Sequence, residues 1–320
     1  MKIFKDCTED QITQAAQALI DGHLVAFPTE TVYGLGADAS NASAVSRVYE
    51  VKGRPKDHPL IVHISSVNQF THWASEIPDY AFELATRFWP GPMTLILPRS
   101  PLAKDFITGN QNNVGIRVPA NQIALTLLSE FEKLGGFGVA APSANRFGAV
   151  SPTSADHVVE ELGSRLDYHD IILAGKECLV GIESTIVNCT GVNPEILRPG
   201  SVTQLMIEEV TRLKLIAPHP INSPKASGSL ESHYSPKARV HLNSKPNVGD
   251  GFLALSDIPT PVGSVRLATP NTVEEYAQQM YAALRLADHL NLNNVTVILP
   301  FDSELSIAIK DRLSKAAAKD

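Results

Sequence analysis

The sequence contains no run that approaches the roughly 18 consecutive apolar residues that a membrane-spanning helix needs. Its first ten residues include three acidic side chains and no apolar centre, so we expect no signal peptide there. The cysteines Cys7, Cys178 and Cys189 are odd in number and lack C-x-x-C spacing, which excludes a disulfide framework and a cysteine zinc site. We therefore expect a cytoplasmic protein without a membrane partner.

Motifs that identify several common enzyme classes are also missing. There is no G-x-G-x-x-G fingerprint for a dinucleotide, and no H-E-x-x-H or His/Asp cluster that predicts a metal held by the protein. Gly181-Ile-Glu-Ser-Thr185 lacks the second glycine of the G-x-S-x-G elbow, so we interpret Ser184 as a hydrogen-bonding residue at a strand start. The formal charge of −7 argues against a surface that coats nucleic acid. Any anion site must therefore be a local group of cations.

Length and composition predict an ordinary globular α/β protein with two domains. The 320 residues are 43% apolar and 19% charged. Over residues 1–215 strand and helix patterns mix without strict alternation, which predicts a mixed sheet with helices on its faces. Within this part, Thr8 to Gln11 predict a capping box, Pro28 to Gly36 an irregular loop, and Gln122 to Lys133 a helix. Residues 216–237 are rich in Pro, Ser, His and Gly and predict a linker. Strands alternate with helices over 238–320, which is typical of a small parallel α/β domain.

The most informative stretch begins with three cations in five residues, Lys52-Gly-Arg-Pro-Lys56. Gly53 and Pro55 predict a stiff turn rather than a helix face. Arg and Lys side chains on rigid backbone suit a polyanion such as a nucleotide phosphate. A solvated basic loop is the alternative interpretation of this stretch when it is taken alone.

Polar residues at predicted strand positions are further candidates. Ser143 and Asn145 follow an apolar strand, where ligands of open α/β sheets collect, although both are also ordinary turn residues. Arg117 interrupts a strand, which predicts either a solvent-facing side chain or a buried anchor for a carboxylate. His63 interrupts another strand and is interpreted first as a core histidine.

Seven motifs occur together in one order along the chain, and the combination is far more specific than any member. They are Phe27-Pro-Thr-Glu-Thr-Val-Tyr-Gly-Leu-Gly36, Lys52-Gly-Arg-Pro55, Pro59-Leu-Ile-Val-His63, Trp89-Pro-Gly-Pro-Met-Thr94, Arg117-Val-Pro119, Ala141-Pro-Ser-Ala-Asn145 and Gly181-Ile-Glu-Ser-Thr185. Together they resemble the YrdC-type threonylcarbamoyl-AMP synthase family. Arg198-Pro-Gly200 and His233-Tyr234 are similar to its long, two-domain form.

The resemblance implies a YrdC-like curved mixed sheet with a deep, positively charged cavity, followed by a small Rossmann-like parallel domain. It implies that L-threonine, bicarbonate and ATP give L-threonylcarbamoyladenylate and pyrophosphate. The carbamate of threonine attacks the α-phosphorus, so catalysis comes from positioning and charge neutralisation rather than from a protein nucleophile. Mg²⁺ arrives with ATP, and a threonylcarbamoyl transferase complex that modifies tRNA consumes the product.

The resemblance also assigns residues to these roles. The catalytic, phosphate-binding set corresponds to Lys52, Arg54, Ser143 and Asn145. Further ATP contacts correspond to His58, Asn113, Ser151, Arg198 and Tyr234, and threonine contacts to Thr31, His63, Arg117, Ala141 and Ser184. Arg117 would hold the threonine carboxylate. Family members often have Asn where His58 stands, and some have Tyr where Glu231 stands, so Tyr234 replaces the latter contact here.

Two other functions stay open at this point. One is a module that binds tRNA or double-stranded RNA in a basic cavity without synthase activity, and weak RNA binding is also compatible with the synthase. The other is a carbamoyl-transfer domain that serves a larger maturation enzyme, against which the lack of zinc-finger cysteines counts. We further expect the linker to close over the loaded cavity, because it joins a ligand-binding domain to a small partner domain.

Overall fold

The computed structural model describes residues 1–219, 223–228, 233–301 and 303–318, and within these ranges the chain forms two sheets. The first sheet consists of β1 (Lys2–Phe4), β2 (Val25–Phe27), β3 (Gly34–Asp38), β4 (Ile61–His63), β5 (Met93–Pro98), β6 (Asn113–Arg117), β7 (Val139–Ala140), β8 (Ile171–Leu173), β9 (Thr185–Asn188) and β10 (Glu195–Arg198). Their order is β1-β8-β2-β3-β7-β4-β6-β5-β9-β10, with parallel and antiparallel neighbours. This architecture confirms the predicted mixed sheet.

Helices accompany this sheet throughout the first domain. They are α1 (Glu9–Ile20), α2 (Ala42–Lys52), α3 (Phe70–Trp73), α4 (Asp79–Phe88), α5 (Asp105–Thr108), α6 (Gln122–Lys133), α7 (Ala155–Leu162) and α8 (Gln204–Thr211). Helix α1 begins at the predicted capping box, in which Thr8 and Gln11 each bond the other's backbone. Its apolar face packs with Leu127 and Leu128 of α6 in one buried cluster.

The second sheet is wholly parallel, as the sequence predicted. It contains β11 (Arg239–Leu242), β12 (Gly251–Leu253), β13 (Val265–Ala268) and β14 (Asn294–Val297) in the order β11-β14-β12-β13. Helices α9 (Val273–His289) and α10 (Leu305–Ala317) complete the domain. In the ranges that the structure describes, no helix combines the length and the apolar character that crossing a membrane requires.

The two domains share a buried core rather than meeting across a wet surface. Val32 and Ile182 from the first domain belong to the same cluster as Met280 and Tyr281 from α9. Gly181 has a φ of +75°, and a Cβ there would lie 2.3 Å from the Cα of Gln278. The loop before β9 therefore rests directly on the backbone of α9 (at a distance that only glycine permits).

Four neighbouring strands of the first sheet have an end at the same side of the sheet. β4 and β6 are parallel, and their last residues, His63 and Arg117, are paired in register. β5 runs antiparallel to β6, and β9 is parallel to β5 with Thr185 opposite Met93. The ends of β4 and β6 and the starts of β5 and β9 thus lie together, and polar side chains at these positions converge.

The sequence did not predict two of the strands. Residues 28–36 were expected to be an irregular loop, but β3 begins at Gly34, and β1 was not predicted. Gly36 explains the first error, because a Cβ there would lie 2.6 Å from Cγ1 of Val139. The glycine permits close contact between strands, whereas in the sequence it was taken as a turn signal.

Candidate active site

Lys52 and Arg54 flank the end of helix α2, and this corrects the expected turn. Lys52 is the last helical residue, so the prediction that all the cations leave the helix was wrong for it. Gly53 caps the helix in the left-handed conformation, with a φ of 64°. The cap turns the chain so that both neighbouring side chains line one cavity. Both are buried, so the interpretation of a solvated basic loop was wrong for these two cations, whereas Lys56 is exposed.

Main-chain oxygens hold the Lys52 ammonium group. Its Nζ donates to the carbonyl oxygens of Ser143 and Asn145, both at 2.5 Å. Burial, reinforced by the nearby Arg54 guanidinium, lowers the pKa of Lys52 well below its usual range. The predicted pairing of Lys52 with the Ser143–Asn145 turn is therefore a direct contact in the fold.

Asn145 is fixed by its amide nitrogen and leaves an acceptor. Its Nδ2 donates to the carbonyl oxygens of Arg146 and Ala149, both at 2.8 Å. Its buried Oδ1 has no hydrogen-bond partner in the described ranges. A buried oxygen of this kind is suited to a donor or a cation that a ligand brings.

Arg54 reaches across the cavity to the linker. Its Nη2 donates to the carbonyl oxygen of Pro59 at 3.0 Å and to Oγ of Ser227 at 3.2 Å. Its guanidinium lies 5.6 Å from the ring centroid of Phe147. Burial is the main reason that the pKa of Arg54 falls to about 10. Its buried Nε lacks a partner among the described residues, so a donor remains for a ligand.

Arg117 is buried at the end of β6, and the solvent-facing alternative was wrong. Its Nη2 contacts Oε1 of Glu30 at 2.6 Å, and its Nη1 donates to Oγ1 of Thr31 at 2.9 Å. Its Nε donates to the carbonyl oxygen of Gly91 at 3.3 Å. These contacts use three of the five N–H donors of the guanidinium, so two remain for a carboxylate.

His63, Ser184 and Arg198 complete the polar walls. His63 is buried with its ring edge against Phe27, and its Nδ1 is 3.3 Å from the carbonyl oxygen of Ile61. Oγ of Ser184 lies 2.8 Å from Oγ1 of Thr94 and accepts from Nη2 of Arg198 at 3.0 Å. Arg198 also donates to the carbonyl oxygen of Ser184 through Nε and Nη2, at 3.0 and 2.9 Å.

The fold gathers most of the predicted site residues in one cavity. Its lining includes Thr31, Lys52, Arg54, His63, Arg117, Ala141, Ser143, Asn145, Ser184, Arg198 and Tyr234. Three predicted ATP contacts, His58, Asn113 and Ser151, are not among the lining residues. The His58 ring makes a T-shaped contact with the Phe147 ring, Asn113 lines a separate small cavity with linker residues 224–227, and Ser151 donates to Oε1 of Glu183 at 2.6 Å.

The linker is docked on the first domain, which its composition did not predict. Gln111 forms two hydrogen bonds with the main chain of Lys225, at 2.7 and 3.1 Å. Ala226 is buried against Ile96 and Ile186. Further along, His233 and Tyr234 are buried and line the cavity. Glu231, for which an ATP contact was considered, lies outside the described residues.

Sequence reasoning gave no role to several residues of the site. The lining also includes Glu183, Phe147, Ser227 and His233, while Glu30 binds Arg117 from behind. Glu30 and Glu183 stand inside the quoted motifs, so their positions were a signal that could have identified them. Phe147 and Ser227 carry no such signal, since only the fold brings them to Arg54.

One group in the described ranges has the spacing of metal ligands, His23, Asp167 and Asp170, and it lies away from the cavity. Nη2 of Arg47 contacts Asp167 at 2.7 Å and Asp170 at 2.8 Å. The guanidinium already pairs with both carboxylates, so we assign the group a structural role.

Comparisons with known proteins agree with this geometry. A Sua5/YciO/YrdC family model, described as telomere recombination, matches residues 17–200, and one described as the C-terminal domain of threonylcarbamoyl-AMP synthase matches residues 202–318. The threonylcarbamoyl-AMP synthase of Pyrococcus abyssi is 39% identical over 97% of this chain and 94% of its own length. The chain belongs to the threonylcarbamoyl-AMP synthase family. The resemblance drawn from the motifs is thereby confirmed.

Other members of the synthase family show the same full-length relationship. The Bacillus subtilis threonylcarbamoyl-AMP synthase is 36% identical over 98% of this chain and 96% of its own length. A crystal structure of P. abyssi Sua5 complexed with L-threonine matches with a TM-score of 0.87 and 38% identity, covering 97% of this chain and 95% of that one. The long, two-domain form of the family is therefore the form of this chain.

Lowering the pH should destabilise the protein through its buried histidines. Burial, with help from Arg117, lowers the pKa of His63 to about 3, and burial likewise lowers the pKa of His233 to about 3. The unfolded chain, in which a histidine pKa is about 6.5, therefore binds more protons than the folded chain as the pH falls below that value. Stability is then lost with falling pH, at up to about 1.4 kcal/mol per pH unit for each histidine.

His63→Asn should remove one histidine's share of this slope. The measurement is the free energy of unfolding by urea for wild type and variant, between neutral pH and about pH 5. Equal slopes for the two proteins would contradict the assigned pKa of His63, whatever the variant does to stability at neutral pH.

Proposed function

We propose that this synthase converts L-threonine, bicarbonate and ATP into L-threonylcarbamoyladenylate and pyrophosphate. The observation that carries the proposal is one cavity in which cations suited to a triphosphate lie beside a polar pocket suited to an amino acid. Full-length relatives named threonylcarbamoyl-AMP synthase support it. An RNA-binding module is not favoured, because the net charge is −7 and these cations are buried rather than displayed on a surface.

The triphosphate would bind to Lys52, Arg54 and Arg198. Main-chain carbonyl oxygens position all three, and none of them forms a salt bridge with a carboxylate in the described ranges. Phosphate would favour the charged form of Lys52 and raise its lowered pKa again.

Mg²⁺ would enter as a complex with ATP, held mainly by the phosphates. Glu183 is the carboxylate among the described lining residues, and Nε of Arg312 already contacts it at 2.8 Å. The unpartnered Oδ1 of Asn145 is an oxygen ligand of the type that this ion prefers. The site thus fits an ion that the nucleotide brings better than one that the protein holds by itself.

Threonine would bind at the ends of β4 and β6. The two unused donors of Arg117 suit its carboxylate, while Thr31 and Ser184 offer hydroxyl groups nearby. Glu30 neutralises Arg117, so this half of the cavity carries little net charge. Such a pocket suits a zwitterion, and the neighbouring cations suit the polyanion.

The chemistry would then need no nucleophile from the protein. The threonine amine and bicarbonate form a carbamate and release water, and a carbamate oxygen attacks the α-phosphorus as the bond to pyrophosphate breaks. The cations stabilise the charge on the phosphates, and the fixed pocket holds the attacking oxygen in line. The product is a mixed anhydride, which a threonylcarbamoyl transferase acting on tRNA would consume. Three free cysteine thiols support a cytosolic location.

The proposal is tested by pyrophosphate release from ATP with purified protein. Release should require both threonine and bicarbonate, and mass spectrometry should detect threonylcarbamoyladenylate. Release that ignores threonine would show that the substrate is wrong. Steeply salt-dependent RNA binding without any threonine effect would favour the RNA-binding alternative.

Arg117→Ala should weaken threonine use much more than ATP use. Loss of the charged fork should raise the threonine KM by about tenfold or more, while the ATP KM changes little. Steady-state pyrophosphate release with each substrate varied in turn measures both constants. Arg99→Ala is the control, since Arg99 contacts Asp105 at 2.5 Å away from the cavity. An unchanged threonine KM in Arg117→Ala would exclude its assigned role.

ATP together with threonine should slow proteolysis of the linker at residues 226–232, of which 229–232 lie outside the described residues. Gln111→Ala should speed cleavage, because it removes both hydrogen bonds to Lys225. Gln122→Ala on the exposed face of α6 is the matched control. Gel-based cleavage rates that are equal with and without ligands would contradict closure of the linker.

A further inference from the structure

Arg312 of α10 is fully buried, lies outside the cavity lining, and contacts three different segments of the cavity wall. Its Nε donates to Oε2 of Glu183 at 2.8 Å. Its Nη2 donates to the carbonyl oxygen of Pro199 at 2.9 Å. Its guanidinium also lies 5.4 Å from the ring centroid of Tyr234. A single side chain of the second domain therefore contacts the start of β9, the end of β10 and the linker.

Each of these contacts adjoins a residue of the cavity. Glu183 precedes Ser184, Pro199 follows Arg198, and Tyr234 lines the cavity itself. Ser184 and Arg198 are already bonded to each other in front of Arg312. Movement of Arg312 would therefore displace the threonine side and the nucleotide side of the proposed site together.

Glu183 fixes the position of Arg312 because its carboxylate is buried and ionised. Ser151 donates to its Oε1 at 2.6 Å, and Tyr281 of α9 donates to its Oε2 at 2.9 Å. Burial alone would raise the pKa of Glu183, but Arg312 and Arg198 lower it to about 2. Without the Arg312 guanidinium, this buried charge beside Ser184 would lose its direct ion partner.

The same helix also holds the linker. Asp311 accepts from Nη1 of Arg312 at 2.5 Å and lies 2.9 Å from Nζ of Lys315. The Lys315 ammonium donates to the carbonyl oxygen of Gly228 at 2.8 Å. The backbone N–H of His233 donates to the carbonyl oxygen of Lys315 at 3.3 Å, so the linker is bonded to α10 on both sides of residues 229–232.

We propose that Arg312 is a positioning residue for the synthase reaction, through which the second domain holds the threonine half and the nucleotide half of the cavity in a fixed relative position. The proposal rests on the function proposed above. It also gives the second domain a specific part in catalysis, separate from covering the cavity.

The test compares Arg312→Lys with Arg285→Lys. Arg285 is a matched control, since it is also buried on the second domain and binds Glu161 of the first at 3.2 Å and the carbonyl oxygen of Val150, and in the described ranges none of its hydrogen bonds goes to a residue that lines the cavity. Threonine affinity by calorimetry and kcat/KM for threonine should each fall at least about tenfold in Arg312→Lys and by less than about twofold in Arg285→Lys. Thermal melts check that both variants are folded.

The outcomes separate this proposal from the function on which it rests. If wild type binds threonine and folded Arg312→Lys binds it equally well, the positioning role is overturned. If both variants lose affinity equally, Arg312 acts only as a domain contact, which also overturns it. If wild type itself does not bind threonine, the proposed function fails instead.

A double variant covers the case in which Arg312→Lys does not fold. Glu183→Gln combined with Arg312→Met removes both charges and leaves none buried alone. If Arg312 acts through Glu183, the double variant should bind threonine no more weakly than Glu183→Gln alone. A further loss of affinity in the double variant would show that the two side chains act independently and would overturn the proposal.

Discussion

The structure depends on keeping positive charge buried and uncancelled inside an acidic protein. Lys52, Arg54 and Arg198 are all buried, and main-chain carbonyl oxygens hold each of them. Carbonyl dipoles orient a cation and offset part of the free-energy cost of its desolvation, but they do not neutralise it as a carboxylate would. The cavity therefore stays attractive to a polyanion although the chain has a formal charge of −7. Arg117 differs in having a carboxylate partner, Glu30, and this difference divides the cavity into a charged half and a nearly neutral half.

Burying several cations in one cavity costs free energy of folding. Contacts outside the cavity hold its walls in place. The wall segments come from strand ends in the first domain, but the core behind them includes Met280 and Tyr281 of the second. Gly181 allows the loop before β9 to lie directly on α9. The second domain is thus part of the support for the site, and we do not expect the first domain to hold the same geometry alone. In this chain, buried ionic contacts with the second domain therefore help to hold the cavity of the first.

Sequence reasoning succeeded where the determinants are local. The Thr8 capping box, the bounds of α6 at Gln122–Lys133 and the ordered motifs all follow from neighbouring residues. It failed where a contact joins distant segments. Glu183 and Arg312 are far apart in the chain, and no periodicity connects them, so their ion pair was not predicted. The linker was read from its composition as a connector, whereas its buried Ala226 and Tyr234 depend on surfaces that only the folded chain provides.

The position of the linker suits the chemical instability of the carbamate and the adenylate that the cavity would contain. A free carbamate loses carbon dioxide in water, and an acyl adenylate hydrolyses, so both must be shielded while the phosphate bond is broken. The neutral state of His63 and His233 fits this need, because their lowered pKa values leave no imidazolium to protonate the carbamate at neutral pH. Ser227 and Tyr234 then close the wall from the linker side. Exclusion of water and withholding of protons thus favour the same arrangement, in which, with the binding mode proposed above, the fixed cations would face the phosphates and the neutral histidines would face the nucleophile.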